Sequence, residues 1–321
     1  MGTLLEVRNL KKYFQVPKGY LHAVDDVSFK INEGETLGIV GESGCGKSTL
    51  GRAILRLHEP TSGTVLYDGM NVTGMDKQEM RALRKYMQII FQDPYASLNP
   101  RFTVAQIIEE PLRLHKIYSS EAEVHARVEE LMDMVGLSAR MQNAYPHEFD
   151  GGRRQRIVIA RALAVGPKFI VCDEPVSALD VSIQAQILNL MIDLQKELNL
   201  TYIFISHNLS VVKHISTDVG VMYLGQLIEK APKRMIYKNP LHPYTIALLA
   251  AIPSLDPEAK RERQILKGEL TSPVNPKRGC RFSTRCPFAQ DRCFTDNPVM
   301  REVEPGHFVA CHRVSGKEGI Q

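Results

Sequence analysis

The chain has no apolar run long enough to span a bilayer: its most apolar stretches, 169–172 and 246–252, fall far short of the ~20 residues a membrane-crossing helix needs. It is therefore not expected to cross a membrane. It also lacks a long basic run or an interleaving of basic and aromatic residues, and 40 Lys and Arg against 36 Asp and Glu leave a formal charge of only +4. That balance argues against nucleic acid as a partner. The opening Met1-Gly2-Thr3-Leu4-Leu5-Glu6 has neither the basic-then-apolar layout of a secretion signal nor the Ser or Thr that myristoylation needs at the sixth position. A reducing, cytoplasmic setting is the expectation, and there six cysteines do not read as a disulfide framework. No internal repeat is present.

What is there is 321 residues, 44% hydrophobic, enough for one large core and a smaller appendage. Residues 4–9, 23–31 and 64–67 are strand-like, and Asp68-Gly69 is a hairpin turn dipeptide, which together predict an antiparallel layer. The short runs 36–40, 169–172 and 201–205, rich in Ile, Val and Phe, suit parallel strands buried on both faces. Between 94 and 150 the pattern turns helical, as in 121–134, where acidic residues lead and an apolar stripe follows. Ile183, Ile187, Leu190, Met191, Leu194 and Leu198 recur at helical spacing and read as a core-facing stripe. After about 239 the chain becomes irregular, with Pro240, Pro243, Pro253, Pro257, Pro273 and Pro276, and then cysteines appear.

Gly41-Glu42-Ser43-Gly44-Cys45-Gly46-Lys47-Ser48 follows the run 36–40 and precedes helix-like 49–57. In that setting main-chain N–H groups can wrap phosphate oxygens at a helix N-terminus, and the glycines let the backbone approach an anion. Lys47 would reach the β- and γ-phosphates of ATP, Ser48 would offer its hydroxyl to Mg2+, and Cys45 fills the loop. The run 169–172 ends in Asp173-Glu174, with Asp173 to hold Mg2+ through water and Glu174 to polarise the attacking water as general base. After 201–205, Ser206-His207 offers a neutral donor to a γ-phosphate.

With Gly41 to Thr49, Gln92, Asp150 to Gln155, Asp173-Glu174, Ser177-Ala178-Leu179-Asp180 and His207 in that order, about three quarters of the chain resembles an ABC transporter nucleotide-binding subunit. The resemblance implies an α/β fold: a RecA-like P-loop NTPase core with an antiparallel β subdomain and a helical subdomain inserted at about 94–165, all within 1–238. A small irregular Cys-rich domain at 239–321 would follow. The implied ATP site comprises Tyr13 as the adenine-stacking aromatic, Gly41, Glu42, Ser43, Gly44, Cys45, Gly46, Lys47, Ser48, Thr49 and Gln92. Lys47, Glu174 and His207 would be catalytic, with Ser48, Gln92 and Asp173 around Mg2+. A dimer is implied as well, in which Asp150, Gly151, Gly152 and Arg153 close over the partner's ATP and Asp180 crosses between subunits.

The stretch 92–100, together with Asn239-Pro240-Leu241-His242-Pro243-Tyr244 and the cysteine-bearing tail, is similar to dipeptide and oligopeptide import ATPases. That branch implies a second, non-identical ATPase chain, two transmembrane permease subunits and an extracytoplasmic binding protein. The chain would sit on the cytoplasmic face of the membrane and drive uptake of peptide, or in related importers nickel or oligosaccharide. A soluble iron–sulfur ABC-type ATPase is the remaining alternative.

The chain departs from the family at its signature. Where the family has Leu-Ser-Gly-Gly-Gln, it reads Phe149-Asp150-Gly151-Gly152-Arg153. Asp is among the best helix N-caps, stabilising by ~1 kcal/mol. A carboxylate ~4 Å from a phosphate is repelled by up to about 4 kcal/mol at an effective dielectric of 20. Repulsion predicts an asymmetric dimer in which only the ATP on this chain's own loop turns over, unless Arg153 neutralises Asp150.

Cys280, Cys286, Cys293 and Cys311 fall within 32 residues, at spacings that lack the paired Cys-x2-4-Cys knuckles of structural zinc. A [4Fe-4S] cluster, which needs four Cys and tolerates looser loops, is the first reading, as the resemblance also implies. Zinc is the second, and four structural thiols or stress-formed disulfides the third.

Overall fold

The computed structural model describes residues 2–251, 273–314 and the main chain of 317–318. Pro253, Pro257 and the end of the apolar run at Ile252 lie outside the described residues. The chain forms two compact units, Met1–Gly74 with Ile205–Gln321, and Met75–Phe204.

In the first unit Thr3–Val16 lies between Gly19–Asn32 and Ser62–Tyr67 in an antiparallel sheet, with Met70–Asn71 at its edge. Leu5 pairs with Tyr67 and Val7 with Val65, and this alternate set is buried. The first two strands, of 14 residues each, run well past 4–9 and 23–31, because residues 11–16 carry no clean alternation to read. Asp68 and Gly69, at φ 48° and 75°, make the expected hairpin turn, which needs both central residues left-handed.

A second sheet in this unit pairs Thr36–Val40 parallel with Asp218–Tyr223. It continues antiparallel through Gln226–Pro232 to His307–Val309 and Arg301–Glu304. The tail is thus less irregular than its prolines suggest, and it also carries the helices Pro243–Ala250 and Asp291–Thr295. Its short strands carry little pattern of their own and form because Gln226–Pro232 offers an edge to pair with. His307 seals the joint: its Nε2 lies 2.8 Å from Glu229 Oε1, with both side chains fully buried. The Glu229 carboxylate also accepts the amides of Leu241 and His242 at 2.8 and 3.0 Å.

In the second unit Met87–Ile90 runs parallel to Phe169–Asp173, and residues 201–204 lie on that strand's other side. Every residue of Phe169–Asp173 is buried, which requires the unbroken apolar run seen in the sequence. The helices Val104–Leu114, Glu121–Met134, Gly151–Leu163 and Val181–Leu198 belong to this unit. Ser120 caps Glu121–Met134 reciprocally with Glu123, an arrangement worth ~1 kcal/mol. Of the stripe on Val181–Leu198, Ile187, Met191 and Leu194 are buried, Leu188 joins them, and Leu198 is exposed.

Candidate nucleotide site

In the first unit the buried strand Thr36–Val40 delivers the chain into a glycine loop that ends at the helix Lys47–Ile54. Gly46 is left-handed at φ 102°, and a Cβ there would collide with the Ala23 carbonyl oxygen. A Cβ at Gly41 would strike the Met222 carbonyl oxygen, so both positions require glycine for space as well as for backbone angle. No side chain caps the helix, whose positive end opens onto the loop. Lys47 is 5% exposed and donates from Nζ to the carbonyls of Gly41 and Glu42 at 2.9 and 3.0 Å, with Cys45 Sγ at 3.9 Å. Ser48 and Thr49 follow in the first helical turn, and Ser43 and Gly44 are exposed at the loop tip. A basic side chain folded over a curve of main chain at an uncapped helix start is chemically suited to a polyphosphate.

Tyr13 stacks on His22 with ring centroids 3.8 Å apart, and its hydroxyl donates to Asp25. Burial pushes the Asp25 carboxyl up, but hydrogen bonds from Tyr13 and His22 and the Arg281 guanidinium outweigh it and hold it below the usual range. Ser206 is buried, donates its amide to the Ile39 carbonyl at 3.1 Å, and so ties the strand before Gly41 to the chain entering His207, which is exposed. Arg285 and Tyr244, which both bond Glu42, are site neighbours that the sequence reading missed. Their only signal was Tyr244's place in the stretch 239–244, since nothing local ties the tail to a loop two hundred residues earlier.

In the second unit Asp173 is 2% exposed at the end of its strand, and the next residue, Glu174, turns left-handed at φ 52°. That conformation is costly for a non-glycine residue and typical of functional positions. Ser177 secures the turn, its Oγ and N donating to the Glu174 carbonyl at 3.0 and 3.2 Å. Gln92 brings Nε2 to 3.3 Å from Glu174 Oε2. Asp150 caps Gly151–Leu163 by accepting the Arg153 amide at 2.8 Å, and Arg153 Nε stands 3.6 Å from its other oxygen. A Cβ at Gly152 would press on Ile183 at 2.7 Å, so this glycine lets the two helices meet. Asp180 is exposed at the start of Val181–Leu198, beside Val181, which is 82% exposed.

Cys280, Cys286, Cys293 and Cys311 are free thiols, and the charges of the last three all bear on Cys280. The Cys280 amide donates to the Cys293 carbonyl at 2.7 Å. Burial pushes the Cys280 thiol up to about 11 and raises Cys286 and Cys311 as well. Among the described residues no group of three or more His, Cys, Asp or Glu is placed to hold a metal ion. The thiols are not set as the ligands of either iron–sulfur or zinc; burial favours the protonated form of Cys280, Cys286 and Cys311, and metal binding has to remove those protons.

Known proteins fit this picture. The family model for the ABC transporter matches residues 24–177, and that for the oligopeptide/dipeptide transporter, C-terminal region, matches residues 228–293. The chain is 56% identical to the putative oligopeptide transport ATP-binding protein YkfD of Bacillus subtilis, over 96% of this chain and 95% of that one. It is 54% identical to the oligopeptide transport ATP-binding protein AppF of the same organism, over 98% of each. Among solved structures, the dimeric post-hydrolysis state of the ATP-binding cassette MJ0796, bound to ADP and Pi, aligns at a TM-score of 0.66 and 30% identity, covering 72% of this chain and 99% of that one. The cassette cbiO1 of Clostridium perfringens aligns at 0.67 and 27% identity, covering 74% and 92%. These matches bear out the ATP-binding P-loop fold expected from the sequence.

Proposed function

We propose that this chain, which belongs to the ABC transporter family and to its oligopeptide/dipeptide branch, hydrolyses ATP to power uptake of dipeptides or oligopeptides through a membrane complex. The observation that carries the ATPase reading is the uncapped helix start with Lys47 folded over its glycine loop. Support for peptide cargo comes from the matched C-terminal region and the names of the relatives, rather than from any surface that would touch cargo.

In this reading the loop amides of Gly41 to Thr49 and Lys47 take the phosphates, and Tyr13 stacks on the base. Ser48, Gln92 and Asp173 are the residues that would hold Mg2+, whose charge, when bound, neutralises phosphate oxygens. Glu174 takes the proton of the attacking water, Gln92 orients that carboxylate, and His207 donates to the γ-phosphate. MgATP turnover that disappears in Lys47→Ala and Glu174→Gln, with labelled dipeptide uptake lost in the same variants, is the expected result. Uptake of nickel or an oligosaccharide lost in their place would change the cargo.

The signature Asp150, Gly151, Gly152 and Arg153 would close over the ATP of a second, non-identical ATPase subunit, with Asp180 at the crossing. Support comes from the exposure of Asp180 and of the apolar Val181 beside it, an apolar group suited to a partner. The Asp150–Arg153 pair favours a signature without net charge, and so two working sites over an asymmetric dimer. Helices of 94–165 would meet two permease subunits at the cytoplasmic face, and co-purification with two integral membrane proteins tests this. For the tail, the four cysteines within 32 residues and the resemblance to the peptide-import branch support a metal–thiolate centre formed on metal loading, [4Fe-4S] before zinc. A colourless, iron-free protein purified without oxygen would exclude the cluster.

A further inference from the structure

The tail grips the phosphate loop from behind. Arg285 sets its two terminal nitrogens 2.9 and 3.2 Å from the two Glu42 carboxylate oxygens, with Arg285 7% and Glu42 22% exposed. The Glu42 amide donates to Tyr244 Oη at 2.9 Å. Tyr244 is itself fully buried, edge-on to Tyr223 and Phe282 with centroids at 4.7 and 5.5 Å. Glu42 is therefore fixed at side chain and main chain by residues 243 and 202 positions further along. Its carbonyl is one of the two on which Lys47 rests. An unpaired carboxylate in a loop that receives an anion would repel it, and the bidentate pair cancels that charge. The same turn of the tail reaches the Tyr13 side, where Arg281 pairs with Asp25, the acceptor of the Tyr13 hydroxyl.

We propose that Arg285 and Tyr244 are positioning residues of the ATP site: by holding and neutralising Glu42 they set the curve of main chain that receives the triphosphate. The C-terminal region, in addition to whatever its cysteines hold, is then a structural part of the nucleotide site. This rests on the ATP reading of residues 41–49.

The test is MgATP binding and steady-state turnover by the full chain carrying Arg285→Ala, Arg285→Lys or Tyr244→Phe. Arg285→Ala is expected to raise Kd and KM for ATP about tenfold, the size of one charged hydrogen bond, with kcat within about twofold. Arg285→Lys should recover part of the loss, and Tyr244→Phe, which keeps the ring in place, should cost about threefold in affinity. Affinity within twofold of the parent chain for both Arg285→Ala and Tyr244→Phe overturns the proposal. So does an equal loss of kcat and affinity with a lowered melting temperature that Arg285→Lys does not rescue. Lys47→Ala separates the two levels: if it loses ATP while the tail variants keep it, the proposal fails and the ATP reading stands. If Lys47→Ala binds ATP normally, both fail.

Discussion

Gln92 reaches Glu174 through a single side-chain hydrogen bond of 3.3 Å, joining the loop after Met87–Ile90 to the carboxylate after Phe169–Asp173. The left-handed turn at Glu174 and the Ser177 bonds to its carbonyl fix the backbone, and Gln92 fixes the carboxylate. With Glu174 as the proposed base, Glu174→Gln keeps the shape but removes that base. It should lower kcat by about 10²–10⁴-fold while leaving the Kd for ATP unchanged, as read by a single-turnover assay beside a binding titration. Gln92→Ala should lower kcat less, since the base remains and only its orientation is lost.

Asp150 and Arg153 give a second expectation. If the guanidinium offsets the carboxylate, Arg153→Ala leaves an unpaired negative charge at the signature and should slow turnover of the assembled dimer. Asp150→Ser should change it little. The measurement is ATPase activity of the complex with the proposed partner subunit, and full activity in Arg153→Ala together with a rise in Asp150→Ser would restore the asymmetric dimer.

His242 sets a pH dependence. Burial pushes its imidazole down to about 4 despite Glu229 nearby, and its Nδ1 accepts the Tyr244 amide at 3.0 Å, as a neutral ring can. Unfolded, the ring takes a proton near its ordinary value of 6.5, so the unfolded chain binds more protons between these limits. The stability from this group is present above about 6.5 and declines by about 1 kcal/mol per pH unit as pH falls towards 4. Thermal melts at pH 7 and pH 5 should show a larger drop for the parent chain than for His242→Asn, which keeps a capping side chain. Equal drops would contradict this.

How much could be read from the sequence depended on whether the governing contacts were local. The glycine loop, the buried run ending in Asp173, the Asp68-Gly69 turn and the helix 121–134 are written in consecutive residues, and the structure forms all of them. The tail strands Arg301–Glu304 and His307–Val309 were not legible, because their stability comes from an edge far earlier in the chain, where Glu229 pairs with Val309, and from the buried Glu229–His307 contact. Arg285 and Tyr244 were missed for the same reason, and whether Arg153 neutralises Asp150 stayed open because that depends on a side-chain conformation that spacing does not report.

The central claim is that main-chain amides and Lys47 form a seat for a triphosphate, and a structure with Mg2+ and a non-hydrolysable ATP analogue tests it most directly. Lys47 Nζ should leave the Gly41 and Glu42 carbonyls, now 2.9 and 3.0 Å away, and lie against the β- and γ-phosphates. An analogue bound elsewhere, with Lys47 still on those carbonyls, would contradict the account.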